Sequence, residues 1–270
     1  MTAIPKISVV IPCFNHGEFL PEAVASITSL NRDDVELIVV DDGSTDERTS
    51  KEMAAVEAAG IRVIRQANKG LAAARNAAIA ASNGEYILPL DADDRLRPGY
   101  LDHGFRILDA DSLVGVVYGD MEFFGASTGR WVTGPFNANR MMVQNYIACS
   151  AIFRRVIWEQ NEGYDGTMPV QGFEDWDFWI GAYEHGWKFA YVPEVAFDYR
   201  QHRESMLTRG RASEPDVALF IARKHVALYK REWQQLAFER DSGKATFRNL
   251  RRIIKARIRQ KLGRNGNHVE

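Results

Sequence analysis

The feature of this 270-residue chain that most constrains its fold is an alternation running through its first 120 residues. Short, continuous apolar runs lie at Ile7 to Phe14, Val35 to Val40, Ile61 to Ile64 and Tyr86 to Leu90. Between them, Glu18 to Leu30, Asp46 to Ala59 and Leu71 to Ala81 are rich in helix formers. A strand that is apolar along its whole length has both faces covered, and intervening helices supply that cover. The pattern therefore predicts an α/β fold with a central, mostly parallel sheet flanked by helices. In such sheets ligands bind beyond the carboxyl ends of the strands. Three polar groups stand at those ends: Cys13-Phe14-Asn15, Asp41-Asp42 and Asp91-Ala92-Asp93.

Asp91 and Asp93 are one residue apart after an apolar run. If the run continues as a strand, alternation aims both carboxylates the same way. Two such groups need a cation or hydrogen-bond donors to offset their repulsion, and a hard divalent ion shared with substrate phosphates would do so. The alternative is a solvated turn, because Asp94 follows and Pro98-Gly99 lie close by. After the second strand, Gly43 permits a tight turn, and Ser44 with Glu47 has the spacing of a capping box. That leaves Asp41 and Asp42 unexplained, and a carboxylate there can accept from a uracil imide N–H or a ribose hydroxyl. At the third helix, Lys69 and Arg75 bring positive charge near a phosphate or base.

The densest constellation is Gly172 to Trp179, where Glu174, Asp175 and Asp177 interleave with Phe173, Trp176, Phe178 and Trp179. One of the aspartates could cap a helix. Alternatively, a carboxylate held among apolar rings gains basicity by partial burial and serves as a general base. Trp176 or Trp179 could present a face to a sugar ring, or pack in the core. Further on, His202 lies between Arg200 and Arg203 after a strand expected from Lys188 to Tyr199, so it could join a metal or a diphosphate. Both arginines could offset phosphate charge. Gly125 to Val170 carries no readable signature, and Walker-type and dinucleotide glycine motifs are absent from the sequence.

These blocks, in this order, resemble the family 2 glycosyltransferases, inverting enzymes of the GT-A fold. The matching stretches are Ser8 to Asn15, Val39 to Asp46, Asn68 to Asn76, Asp91 to Asp94, Glu174-Asp175 and Tyr199 to Ser205, so the resemblance covers roughly residues 6 to 207. It implies a nucleotide-sugar donor, with UDP favoured, bound by Pro12, Phe14, Asn15, Asp42, Lys69, Arg75, Asp91 and Ala92. It implies Mn²⁺ or Mg²⁺ at Asp93, with His202 completing the shell. Asp175 would be the base that deprotonates a hydroxyl of a glycan or lipid-linked acceptor, with Glu174 and Trp176 as acceptor contacts. The alternatives are a polyprenyl-phosphate sugar synthase and a catalytically silent nucleotide-sugar-binding scaffold.

The expected organisation is a GT-A domain over 1–212, with a nucleotide-sugar half to about 120 and an acceptor half after it. A helical extension over 213–270 follows. From Lys244 to Arg264 there are nine basic residues and no acid, which leaves 25 basic against 36 acidic residues elsewhere. Phe247, Leu250, Ile254, Ile258 and Leu262 form one apolar stripe along that segment. A basic amphipathic helix of this kind suits an anionic membrane surface, or packs on the protein's own acidic domain or on a second subunit of a homo-oligomer. Nucleic acid is not expected as a partner, because acids predominate elsewhere. Two cysteines, no signal-peptide pattern and no membrane-length apolar run point to a cytoplasmic protein, peripheral at most to the inner face of the membrane.

Overall fold

A computed structural model describes residues 4–202 and 214–241. The chain divides into two compact units, Met1–Lys224 and His225–Glu270. The first unit therefore extends past the boundary expected at 212 and takes in the helix Glu214–Lys224.

The first unit opens with the predicted alternation: β1 (Ile7–Cys13), α1 (Leu20–Thr28), β2 (Val35–Asp41), α2 (Glu47–Ala58), β3 (Arg62–Arg65), α3 (Leu71–Ala81) and β4 (Tyr86–Pro89). A short β5 (Arg95–Leu96) and α4 (Tyr100–Ala110) lead into β6 (Val114–Gly125), β7 (Gly129–Trp131), α5 (Ala138–Met141), β8 (Ile152–Arg154), α6 (Arg155–Gln160), α7 (Glu174–Glu184), β9 (Lys188–Gln201) and α8 (Glu214–Lys224). The second unit is described over α9 (Val226–Asp241). The start of the expected helical extension is thus two helices, α8 and α9, and the basic stripe of 244–264 lies outside the described residues.

All nine strands among the described residues join one sheet, in the order β3-β2-β1-β4-β8-β6-β9-β5, with β7 on β6. Strands β3, β2, β1 and β4 are parallel, as the apolar runs require. Beyond β4 the sheet is mixed: β8 is antiparallel to β4 and β6, β9 is parallel to β6, and β5 is antiparallel to β9. Every residue of β1 and β4 is buried, because helices cover both faces of the sheet there.

Two local expectations change. The cap of α2 is Asp46, whose Oδ1 accepts from Thr49 N at 2.7 Å, not Ser44. Ser44 instead accepts from the backbone N–H of Asn15 at 3.0 Å, tying the ends of β1 and β2 together. And β4 stops at Pro89, so Asp91 to Asp94 is a turn, with Asp94 N donating to Asp91 O at 3.0 Å. Strand alternation therefore does not set the directions of Asp91 and Asp93. Among the described residues no helix is long and apolar enough to cross a membrane.

Candidate active site

The carboxyl ends of β1, β2 and β4 converge as expected, and turn chemistry fixes each loop. Asn15 adopts a left-handed φ of 55° beyond β1, and its side-chain oxygen accepts from Thr45 N at 2.8 Å. Asp42 is buried: Oδ1 accepts from Gln66 Nε2 at 2.7 Å and Lys69 N at 2.9 Å, and Oδ2 from Gly70 N at 2.8 Å. A carboxylate stem thus holds the backbone that starts α3. Gly43 sits beside it at φ 75°, where an added Cβ would lie 2.6 Å from Asn68 N. Pro12 is buried in β1, whereas Phe14 is 43% exposed at the rim and Lys69 is exposed on the next loop.

The turn after β4 sends its three acids to three partners. Asp91 Oδ1 accepts from Arg75 NH2 at 2.7 Å, and its Oδ2 receives the Cys149 thiol at 3.6 Å. Asp93 Oδ2 lies 2.7 Å from His202 Nε2. Asp94, only 1% exposed, takes Arg200 N at 2.9 Å on Oδ1. Burial, then the neighbouring Asp93 and Asp91 charges, push Asp94 well above the usual carboxylate range. Ala92, within the same turn, is buried. The His202 ring packs on Phe19 with centroids 5.2 Å apart, and His16 stands 6.1 Å away.

Asp175 lies in the first turn of α7. Its Oδ1 accepts from Trp176 N at 2.8 Å and from Asn145 Nδ2 at 2.9 Å, while Oδ2 has no described protein donor. Burial, reinforced by Glu174 and opposed by Arg75, raises the carboxyl to about 7. That value suits a group that takes a proton near neutral pH. Neither Asp175 nor Asp177 caps α7; the N-cap is Phe173. Asp177 instead pairs with Lys224 Nζ at 2.7 Å, and the same ammonium holds Asp165 at 2.7 Å.

Three expected contacts are corrected. Arg75 is 1% exposed, and its two terminal nitrogens are taken by Asp91 and Glu174, so its fork is spent inside the protein. Glu174 gives Oε1 to Arg75 and Oε2 to Gly172 N at 2.8 Å, which leaves it a brace, not an acceptor contact. Trp176 and Trp179 are fully buried, and Trp176 Nε1 donates to Met141 O at 2.6 Å, so neither ring is open to a sugar. Residues 203–213 lie outside the described residues, and Arg203 with them. Sequence reasoning missed Asn145 and Cys149. Asn145 ends an irregular stretch and Cys149 falls in a strand–helix pattern from 147 to 159 that carries no chemical signature, and only the fold brings them to Asp175 and Asp91.

The glycosyl transferase family 2 model matches residues 8–163, more than half of the chain. The chain belongs to that family. Putative glycosyltransferase EpsE of Bacillus subtilis is 27% identical over 229 residues, 82% of each chain. An uncharacterized glycosyltransferase of Nostoc is 37% identical over 115 residues, but this chain spans only 36% of its length. Escherichia coli chondroitin synthase is 26% identical over 75% of this chain and 30% of its own. Among solved structures, S. aureus TarS 1-349 in complex with UDP-GlcNAc superposes with a TM-score of 0.63 at 19% identity, over 75% of this chain and 60% of that one. The family 2 chain accordingly has the GT-A architecture, with the loops described above at the carboxyl ends of its parallel strands.

Proposed function

We propose that this chain transfers a sugar from a nucleotide diphosphate donor, UDP-linked by preference, to a hydroxyl of a glycan or lipid-linked acceptor, with inversion at the anomeric carbon. The observation that carries the reading is Asp175: a buried carboxyl raised to about 7, with one oxygen tied by two donors and the other free of them. Family membership supports the transferase class, and the UDP-GlcNAc complex of the TarS neighbour supports a UDP-sugar donor.

In this reading the base and ribose rest against the loops after β1 and β2, with Phe14 and Asn15 at the rim and Asp42 holding the Lys69-Gly70 backbone in place. Asp91, fixed by Arg75, faces the ribose. Asp93 and His202 fit a divalent ion: a carboxylate oxygen and an imidazole nitrogen face each other, and among the described residues no cluster of three or more ligating side chains forms. Such a two-residue site suits Mn²⁺ or Mg²⁺, which take their remaining ligands from phosphates and water. Bound there, the ion would offset charge on the leaving diphosphate. Asp175 Oδ2 takes the acceptor's hydroxyl proton as the new C–O bond forms and the bond to the diphosphate breaks on the opposite face. One base suffices, because the inverting reaction makes no covalent glycosyl intermediate. Much of the rate then comes from alignment.

The test is nucleoside-diphosphate release and product formation across a donor panel with Mn²⁺ and candidate acceptors, comparing wild type with Asp175→Asn. The variant should lose on the order of a hundredfold to ten-thousandfold in transfer, and full transfer by the variant would remove Asp175 from the role. Residues 244–264 would hold the enzyme against an anionic membrane surface; liposome flotation that is equal with and without residues 244–270 would overturn that placement.

A further inference from the structure

Arg140, on α5, is set apart from the other half-buried arginines of the acceptor half. It forms no ion pair with any described Asp or Glu, and its only described side-chain hydrogen bond runs from NH1 to Thr133 O at 2.9 Å. Arg155 also lacks a carboxylate, yet three acceptors satisfy it: Gly84 O, Ile79 O and Ser82 Oγ. Arg154 donates to Val114 O and Leu108 O and pairs with Glu85. Among the described residues, most of the five-donor fork of Arg140 has no partner.

The guanidinium is held in place all the same. It lies 4.0 Å from the centroid of the Tyr146 ring, and the Tyr146 hydroxyl is fixed by accepting from Asn137 N at 2.9 Å. Two short links connect this cation to the base. Tyr146 follows Asn145, whose amide touches Asp175, and Arg140 precedes Met141, whose carbonyl takes the indole N–H of Trp176. Burial draws the Arg140 guanidinium below its ordinary value, which marks the cost of a charge with no counter-ion nearby. A planar, pre-positioned fork of this kind matches a carboxylate or a phosphate.

We propose that Arg140 anchors a negatively charged group on the acceptor, and that the acceptor is an oxyanion-bearing glycan, carrying carboxylate or phosphate, in preference to a neutral sugar. This rests on the transferase reading with Asp175 as base. The acceptor's anion docks on the Arg140–Tyr146 platform and leaves a hydroxyl of the same molecule for Asp175. A neutral acceptor leaves the fork without a partner.

Matched probes test this on the full chain, with UDP and Mn²⁺ present so that phosphate-bearing probes cannot use the donor site. Binding of nitrophenyl glucuronide is compared with that of nitrophenyl glucoside, and glycerol phosphate with glycerol, by calorimetry and thermal shift. The charged member of at least one pair should bind and its neutral twin should not, and the pair that discriminates identifies the anion as carboxylate or phosphate. Arg140→Gln should weaken the charged probe by about tenfold to a hundredfold, as expected for one charge-assisted contact. Arg140→Lys, which keeps the charge, should lose less, and it keeps the test decisive if the glutamine variant folds poorly. Equal binding of charged and neutral probes, or undiminished binding by Arg140→Gln, would overturn the inference. If UDP itself gave no stabilisation, the donor reading would fail instead, so the two failures are separable.

Discussion

Asn145 donates its side-chain amide to Asp175 Oδ1 at 2.9 Å, across 30 residues of sequence. With the Trp176 N–H on the same oxygen, this contact divides the carboxylate into a tethered Oδ1 and an Oδ2 with no described donor. Groups facing Asp175 from neighbouring elements are Glu174 on its own helix, Arg75 on α3, and Cys149 and Tyr164 on the connecting segments. Transfer should fall as pH drops below about 7, because protonated Asp175 cannot accept a proton. Asn145→Leu removes a donor that favours the ionised form, so its acid limb should move up by about one pH unit with donor affinity retained. A pH–rate profile identical to wild type would show that the amide is only packing.

The same carboxyl affects stability with a definite sign. Folding raises Asp175 from 3.8 to about 7, so between those values the native state keeps a proton that the unfolded state has released. Stability attributable to this group therefore falls as pH rises through that window, and is lowest above it. Asp175→Asn lacks the decline and should be more stable than wild type by on the order of 2–4 kcal/mol near pH 8. Urea unfolding at about pH 4 and pH 8 checks this, and a gap that does not widen with pH counts against it.

Arg75 neutralises two carboxylates at once. Arg75→Met should cost about 3–5 kcal/mol, because it leaves the Glu174 charge buried and unpaired. Arg75→Lys should recover only part, since one ammonium cannot reproduce the two-sided fork. A loss below about 1 kcal/mol for the methionine variant, measured by urea denaturation, would mean that Glu174 finds another partner.

Gly43→Ala introduces a Cβ at φ 75°, only 2.6 Å from Asn68 N. The expected loss is about 2 kcal/mol, together with weaker UDP binding, because the same turn positions Asp42. Unchanged melting and unchanged UDP titration would contradict it.

Chelation should abolish transfer, and added Mn²⁺ or Mg²⁺ should restore it. Asp93→Ala and His202→Ala should each lower metal affinity by about tenfold or more, read by titrating Mn²⁺ against UDP binding. Full transfer in the presence of chelator would remove the ion from the mechanism.

The strand–helix alternation was legible because continuous apolar runs leave few alternatives to a buried parallel sheet. The motif ends were legible because ligand-facing loops of such sheets collect Asp, Asn and Gly. The sense of Asp91 and Asp93 was not, since the apolar run through Leu90 outlasts the hydrogen-bonded strand, which ends at Pro89. Trp176 misled because α7 is buried on every residue from Glu174 to Ala182, so no periodicity separates a core ring from an open one. Asn145 and Arg140 carry no local signal at all. Their roles arise from contacts across irregular chain.

The turn after β4 also bears on the order in which the molecule assembles. Asp93 meets His202 and Asp94 meets Arg200, more than a hundred residues later, and β4 itself gains its second edge partner from β8. Until that late segment arrives, Asp93 and Asp94 lack these partners, whereas Asp91 already has Arg75. Closure over so long a span is slow. A fragment ending near residue 120 should therefore lack the contacts that hold Asp93 and Asp94. On the ribosome, the turn after β4 would gain these partners only once residue 202 has emerged.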